Sequence, residues 1–199
     1  MRKDINFYQN IMKKIVDFFF EVGSLKKIAR SHRQSFLTDD LSDNISSHSH
    51  RVSVIGYFLA KSEGADIEKV LTMCVFHDVG EARSGDQTWV HKKYVKVYED
   101  EILKDQLTDI TKDNVLLKTM TEYAERESPE SRIAKDADKL DQYLLVKEYI
   151  MRGNKEAIKW IKKKSPDDLY CNTAKVLFLQ IIESNPTDWW KNLYTEKRR

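Results

Sequence analysis

The sequence predicts an all-α fold, on three observations. Glycine and proline are scarce, at six and three in 199 residues, which disfavours a turn-rich β architecture. Apolar residues recur at three- and four-residue spacing over long stretches, the signature of buried helical stripes. Each of the three prolines also follows a capping residue, in Ser128–Pro129, Ser165–Pro166 and Asn185–Pro186. A helix accepts proline there because its first residue has no amide bond to lose.

The elements follow in order. Tyr8, Ile11, Met12, Ile15, Phe18, Phe19 and Val22 form the stripe of a first helix, which Gly23 ends. Residues 24–44 mix basic and polar side chains without a sustained period, which predicts a loop with a short helix. Ser46 or Ser47 is placed to cap a second helix, with His48, Val52, Ile55 and Leu59 on one face. Asp66 is placed to cap a third, with Val70, Met73, Cys74 and His77 on another. Gly80 and the Ser84–Gly85–Asp86 triplet then favour a bend. From Val90 to Arg126 the pattern is helical and heavily charged, read as one long or broken helix with Thr111 or Asp113 as a restart point. After Pro129, Ala134, Asp138, Asp141 and Leu145 form one stripe, beside Ile133, Ala137, Leu140 and Leu144. With no repeat, low-complexity tract or flexible linker, a single domain over 1–199 is expected, with helices over 154–195 packing on a core over about 25–145.

Composition narrows the functional classes. The 34 basic and 32 acidic side chains leave a formal net charge of +2, so no global field commits the chain to nucleic acid or anionic lipid. The lysine run around Trp160 and the terminal Lys197–Arg198–Arg199 read as solvated helix ends rather than a nucleic-acid surface. Cys74 and Cys171 are too few for a disulfide framework and are expected as free thiols in a reducing compartment. Asp17 and Lys13–Lys14 interrupt any signal-like apolar stretch, and no other span is long enough to cross a bilayer. The cytoplasm is therefore the expected location.

The chemistry lies in four separated residues. His48 and His77 occupy apolar stripes, Asp78 adjoins His77, and Asp138 borders the apolar face of the helix after Pro129. Two imidazoles and two carboxylates suit a hard or borderline divalent cation, and helix bundles assemble such sites from facing helices. A cation would also offset the desolvation of two buried carboxylates, which costs several kcal/mol for each unpaired ion, roughly. Each residue has a plainer reading. A single histidine on an amphipathic helix is more often a satisfied core residue, and Asp138 in Lys135–Asp136–Ala137–Asp138–Lys139–Leu140–Asp141 could belong to a solvated face.

Together, an upstream histidine, a His-Asp pair and a later aspartate in helical context resemble the HD-domain metal-dependent phosphohydrolases. The run His77–Asp78–Val79–Gly80–Glu81–Ala82–Arg83–Ser84–Gly85–Asp86 is similar to the HD-x-x-E-x-x-x-GD segment of the 5′-deoxynucleotidase branch. Leu25–Lys26–Lys27–Ile28 and Lys135–Asp136–Ala137–Asp138 fit as well, so the resemblance spans about Leu25 to Leu145.

The resemblance implies an HD-domain helical bundle with one divalent metal in its core, held by His48, His77, Asp78 and Asp138. Mn²⁺ or Co²⁺ suits the mixed donor set best, and Zn²⁺, Fe²⁺ and Ni²⁺ are compatible with it. It implies hydrolysis of deoxyribonucleoside 5′-monophosphates to nucleoside and phosphate, with Glu81 handling the proton of the attacking water. Asp86 would help hold that water or a sugar hydroxyl. An arginine upstream of the first histidine would bind the phosphate. Arg33 is preferred from ungapped spacing and Arg30 is the alternative, either being suited to bidentate recognition. A homodimer is implied as well. The sequence departs from the family pattern in two places: Gln34, Ser35 and Phe36 follow Arg33 where a tryptophan is common, and Ser47 stands where an acid often precedes the first histidine. Rival expectations are an HD hydrolase of another phosphate ester, such as a phosphodiesterase, and a catalytically silent module that binds a nucleotide for regulation.

Overall fold

Ser128 turns the chain into its longest helix by accepting a hydrogen bond from the Ser131 amide, with Pro129 in the first turn. The structure is a computed structural model that describes residues 2–193. The helices in chain order are α1 (Arg2–Val22), α2 (His32–Phe36), α3 (Ile45–Glu63), α4 (Ile67–Phe76), α5 (Glu81–Ser84) and α6 (Trp89–Tyr94). They continue with α7 (Glu99–Leu107), α8 (Val115–Glu125), α9 (Pro129–Met151), α10 (Lys155–Ile161) and α11 (Asn172–Glu183). Among the described residues the one strand-like pairing is an isolated bridge between Ala29 and Asn44. The all-α expectation holds.

Helix α9 is the axis, with α3, α4, α8, α10 and α11 packed against it, and α3 also lies along α4. The stripes read from sequence supply the core between them: Val52 and Leu59 from α3, Val70 and Met73 from α4, and Ile133, Ala137 and Leu140 from α9, all buried. Gly56 brings α3 and α4 close together, because a Cβ built there would lie 2.5 Å from the Cys74 sulfur. Both cysteines are free and buried.

Several element boundaries differ from the sequence reading. Asn44, not Ser46 or Ser47, caps α3, its side chain accepting from the Ser47 amide. The charged stretch 90–126 divides into α6, α7 and α8, broken by extended residues at Val95 and Thr108 and by left-handed Asp113 and Asn114. Ser165–Pro166 opens only a 3-10 turn. Asn185–Pro186 leads through a turn into a 3-10 helix, Asp188–Leu193, rather than an α-helix. Trp189 and Trp190 pack on each other and stay largely exposed. The terminal Lys197–Arg198–Arg199 and the end of the 154–195 segment lie outside the described residues.

Candidate metal centre

His48 projects from the first turn of α3, His77 and Asp78 from the turn that ends α4, and Asp138 from α9. His48 Nε2 lies 3.1 Å from His77 Nε2, 3.2 Å from Asp138 Oδ1 and 3.5 Å from Asp78 Oδ2. His77 Nε2 is 3.2 Å from the same Asp78 oxygen. Donor atoms about 2.0–2.2 Å from one ion stand about 3–3.5 Å from each other, so this spacing fits a shared cation. Ligand atoms of His48, His77 and Asp78 all fall within 4.8 Å of one another. Asp138 reaches the group through His48, while its other oxygen takes Lys135 Nζ at 2.6 Å.

Hydrogen bonding on the far side of each ring explains why a cation belongs there. His77 Nδ1 donates to the Cys74 carbonyl at 2.8 Å, and His48 Nδ1 lies 2.6 Å from Asp141 Oδ2. A carbonyl and a carboxylate accept only, so each neutral ring carries its hydrogen on Nδ1 and turns a bare Nε2 lone pair inward. Two such lone pairs and two carboxylates then face one another, and only positive charge reconciles them. The same field acts on protons. Burial opposes a charged His48, yet hydrogen bonds to Asp138, Asp141 and Asp78 push its pKa up to about 10. Burial likewise opposes ionised Asp78 and Asp138, and the facing histidines nonetheless hold both well below the usual carboxylate range. The residues present therefore fit a divalent cation.

Glu81 opens α5 just beyond Asp78. Burial and the neighbouring charges of Asp78 and Asp86 raise its pKa to about 9, against the pull of Arg30 and His48. One of its oxygens is buried without a hydrogen-bond partner. Asp86 accepts from the Ser31 amide at 2.8 Å and sits 3.6 Å from Arg30 Nε. Arg30 is the arginine turned toward the acids, with its Nη1 3.5 Å from Asp78. Arg33, the residue preferred on spacing, makes no ion pair with any described acid, and its Nε is buried without a hydrogen bond. Spacing favoured Arg33, whereas the loop before α2 turns the alternative, Arg30, toward the acids; Arg30 Nε is likewise buried without a hydrogen bond. Phe36 is core, packed edge-on against Tyr149 and Trp160. Ser47 spends its amide on the Asn44 cap.

A cavity of about 270 Å³ opens beside the cluster, lined by His77, Asp78, Glu81, Lys92, Tyr123 and Arg126. Tyr123 stacks edge-on with His77, ring centroids 5.9 Å apart, and the Arg126 guanidinium lies 3.3 Å over the Tyr123 ring. Sequence reasoning did not single out Lys92 of α6, Tyr123 of α8 or Arg126, the left-handed residue that ends α8, since no motif sets them apart. Burial pushes the Cys74 thiol beneath the site up to about 12, which leaves it uncharged and unreactive.

Fold and cluster together define the class: a helical domain with a His/His-Asp/Asp centre for a divalent cation, set on the wall of a small cavity. The chain belongs to the HD-domain family, whose sequence model matches residues 22–167. It is 28% identical over 151 residues to a Dictyostelium discoideum protein named 5′-deoxynucleotidase HDDC2, covering 69% of this chain and 78% of that one. A structure from Pyrococcus furiosus superposes with a TM-score of 0.71 at 25% identity, covering 85% of this chain and 99% of that one. A structure from Magnetospirillum magnetotacticum, titled as a predicted metal-dependent phosphohydrolase, shares the fold at a TM-score of 0.61 and 19% identity, with 86% and 91% covered. No helix among the described residues is long and apolar enough to cross a membrane.

Proposed function

We propose that this chain is a metal-dependent phosphomonoesterase that hydrolyses deoxyribonucleoside 5′-monophosphates to deoxynucleosides and phosphate. The observation that carries the reading is the convergence of His48, His77, Asp78 and Asp138 beside a carboxyl, Glu81, whose pKa is raised to about 9. The activity named for the Dictyostelium relative supports the substrate class. A cavity of about 270 Å³ falls just below the roughly 300–1,000 Å³ usual for small-molecule sites, which suits one nucleotide better than a polymer.

A divalent ion bound there supplies charge to the phosphoryl oxygens and makes coordinated water a stronger acid. Two nitrogens and two carboxylate oxygens favour Mn²⁺ or Co²⁺ as that ion. His48, His77, Asp78 and Asp138 would hold the ion.

The chain's own groups do the rest. Glu81, held protonated by burial and by Asp78 and Asp86, lies at the cavity wall, gives its proton to the departing 5′-oxygen and takes one from the attacking water, ending the turnover protonated as it began. Positive charge beside Asp78 would weaken the part of the field that Asp78 contributes at Glu81. Arg30 offers a planar guanidinium beside Asp78, fixed by Asp86, for the phosphate. Arg126 and Lys92 add positive charge across the cavity. A homodimer in the cytoplasm completes the reading: α11 leaves Val176, Leu179 and Ile182 partly exposed, and buried free thiols suit a reducing compartment. Light scattering on the purified protein checks the dimer.

The substrate assignment is tested by incubating Mn²⁺- or Co²⁺-loaded protein with matched deoxy- and ribonucleoside 5′-monophosphates and measuring phosphate release. Faster release from the deoxy series is expected. No release from either series overturns the assignment.

A further inference from the structure

His48 meets the cluster through Nε2, while its other ring nitrogen anchors a chain of ion pairs. Asp141 Oδ2 lies 2.6 Å from His48 Nδ1, and these side chains are only 4% and 3% exposed. The second Asp141 oxygen takes Arg51 Nε. Arg51 Nη2 also donates to the Asp141 backbone carbonyl at 3.4 Å, and Nη1 to Glu148 at 2.6 Å. Arg51 is one turn along α3 from His48, and Asp141 is one turn along α9 from Asp138. The ladder therefore joins the two helices that carry candidate ligands, directly behind one of them.

We propose that Asp141, oriented by Arg51, is a positioning residue for the metal centre: it fixes the His48 ring and its tautomer so that the Nε2 lone pair is committed to the cation. The proposal rests on the reading of His48 as a ligand. A carboxylate behind a ligating imidazole accepts the Nδ1 hydrogen, stops the ring from turning about its axis and makes Nε2 a better donor. Arg51 is needed because Asp141 has almost no contact with water. Its guanidinium keeps Asp141 ionised and acceptor-only, and it occupies the oxygen that His48 does not use. Three carboxylates thus face His48, with Asp78 and Asp138 on the side of the cation and Asp141 behind.

An ion-pair ladder can also do no more than hold two helices together, so the test separates the two roles. Asp141→Asn keeps the size of the side chain but lets it donate as well as accept, which admits the tautomer with its hydrogen on Nε2. Co²⁺ affinity of the metal-stripped chain is measured by titration, together with the visible absorption of bound Co²⁺, which reports the ligand field directly. Asp141→Asn is expected to weaken Co²⁺ binding by roughly 10–100-fold and to shift its absorption bands. Arg51→Lys, which keeps the charge but loses the fork, should move both in the same direction by less. Lys69→Met removes a more exposed ion pair between helices, Lys69 to Glu122 between α4 and α8, and is expected to leave Co²⁺ affinity and spectrum unchanged. Co²⁺ bound with equal affinity and the same spectrum by wild type and Asp141→Asn overturns the positioning role alone. A wild-type chain that takes up no Co²⁺ overturns the metal reading and this one with it.

Discussion

Glu81 and His48 are titratable groups whose pKa values the folded chain moves far in the same direction, and these shifts make pH a direct probe of the site. His48 is raised from 6.5 to about 10 and Glu81 from 4.5 to about 9. A group raised on folding contributes stability that is fully present below its unfolded pKa and is lost as pH climbs through its folded one. Asp78 and Asp138 are lowered, so their contributions are present above the ordinary carboxylate pKa and vanish only in strong acid. The metal-stripped protein is therefore expected to lose thermal stability as pH rises from about 4.5 to about 10, through Glu81 up to about 9 and through His48 from 6.5 to about 10. Added Mn²⁺ should restore more stability the higher the pH, because the metal competes with those same protons. Melting curves in chelator and in Mn²⁺ across that range decide it; a chelated Tm that holds steady or rises with pH contradicts the electrostatic picture. Glu81→Gln mimics the protonated carboxyl, so it should fold and bind metal normally, flatten the slope, and lower phosphate release by about 10²–10⁴-fold. Full activity in Glu81→Gln would end its proton-transfer role. At this scale the His77–Asp78 pair stood out because an ionisable pair at the end of an apolar run is hard to put down to a solvated face, whereas Glu81 came only through the resemblance of residues 77–86 to the HD-x-x-E-x-x-x-GD segment. Arg30 was legible only as the alternative to Arg33, and Asp141 in no role. Asp136, Asp138 and Asp141 fall within six residues of one helix, and periodicity cannot tell a loop anchor, a candidate ligand and a histidine's partner apart.

At the scale of elements, legibility tracked how much of a helix's stability comes from its own stripe. Helices α4 and α9 matched the periodicity and caps that predicted them, since Asp66 and Ser128 act through local geometry, whereas α1 ends before Gly23 as expected but leaves Tyr8, Met12 and Phe19 of its stripe exposed. The stretch 90–126 did not, because its breaks at Val95, Thr108, Asp113 and Asn114 contain neither glycine nor proline. There, packing against the rest of the chain overrides weak local preference. The closest helix pair offers a prediction of its own. On an isolated helix Gly56→Ala would stabilise by about 1 kcal/mol through propensity. In this chain the new methyl meets the Cys74 sulfur at 2.5 Å, and such overpacking costs about 1–3 kcal/mol. Gly56→Ala should therefore be neutral to destabilising in urea unfolding. Cys74→Ala in the same chain removes the clash, so the double variant should be more stable than the sum of the two single changes. Simple additivity would show that α3 and α4 are not held this tightly.

Across the whole molecule, α9 serves two structures at once. Two residues before Asp138, the carboxylate of Asp136 is 1% exposed, and it accepts the backbone amides of Tyr170 at 2.9 Å and Cys171 at 2.8 Å. Cys171 is the N-cap residue of α11, so a single buried anion fastens the C-terminal helices to the helix that carries Asp138. The shared core has the same implication, with Tyr143 of α9 packed edge-on against Phe178 of α11. We take the chain to fold as one cooperative unit on this account. Asp136→Ala removes charge-assisted bonds worth about 1.5–3 kcal/mol, which for a chain of this size lowers Tm by roughly 3–12 °C. Because α10 and α11 share their core with α9, the loss should appear as one earlier transition, coincident by circular dichroism and by tryptophan fluorescence, in which Trp160 reports on α10. Co²⁺ affinity should fall little at temperatures where the variant remains folded, since Asp136 turns away from the cluster toward the loop before α11. Two separated transitions would mean that 155–183 melts independently, and the division of this chain into a metal-binding core and an appended unit would then replace the single domain.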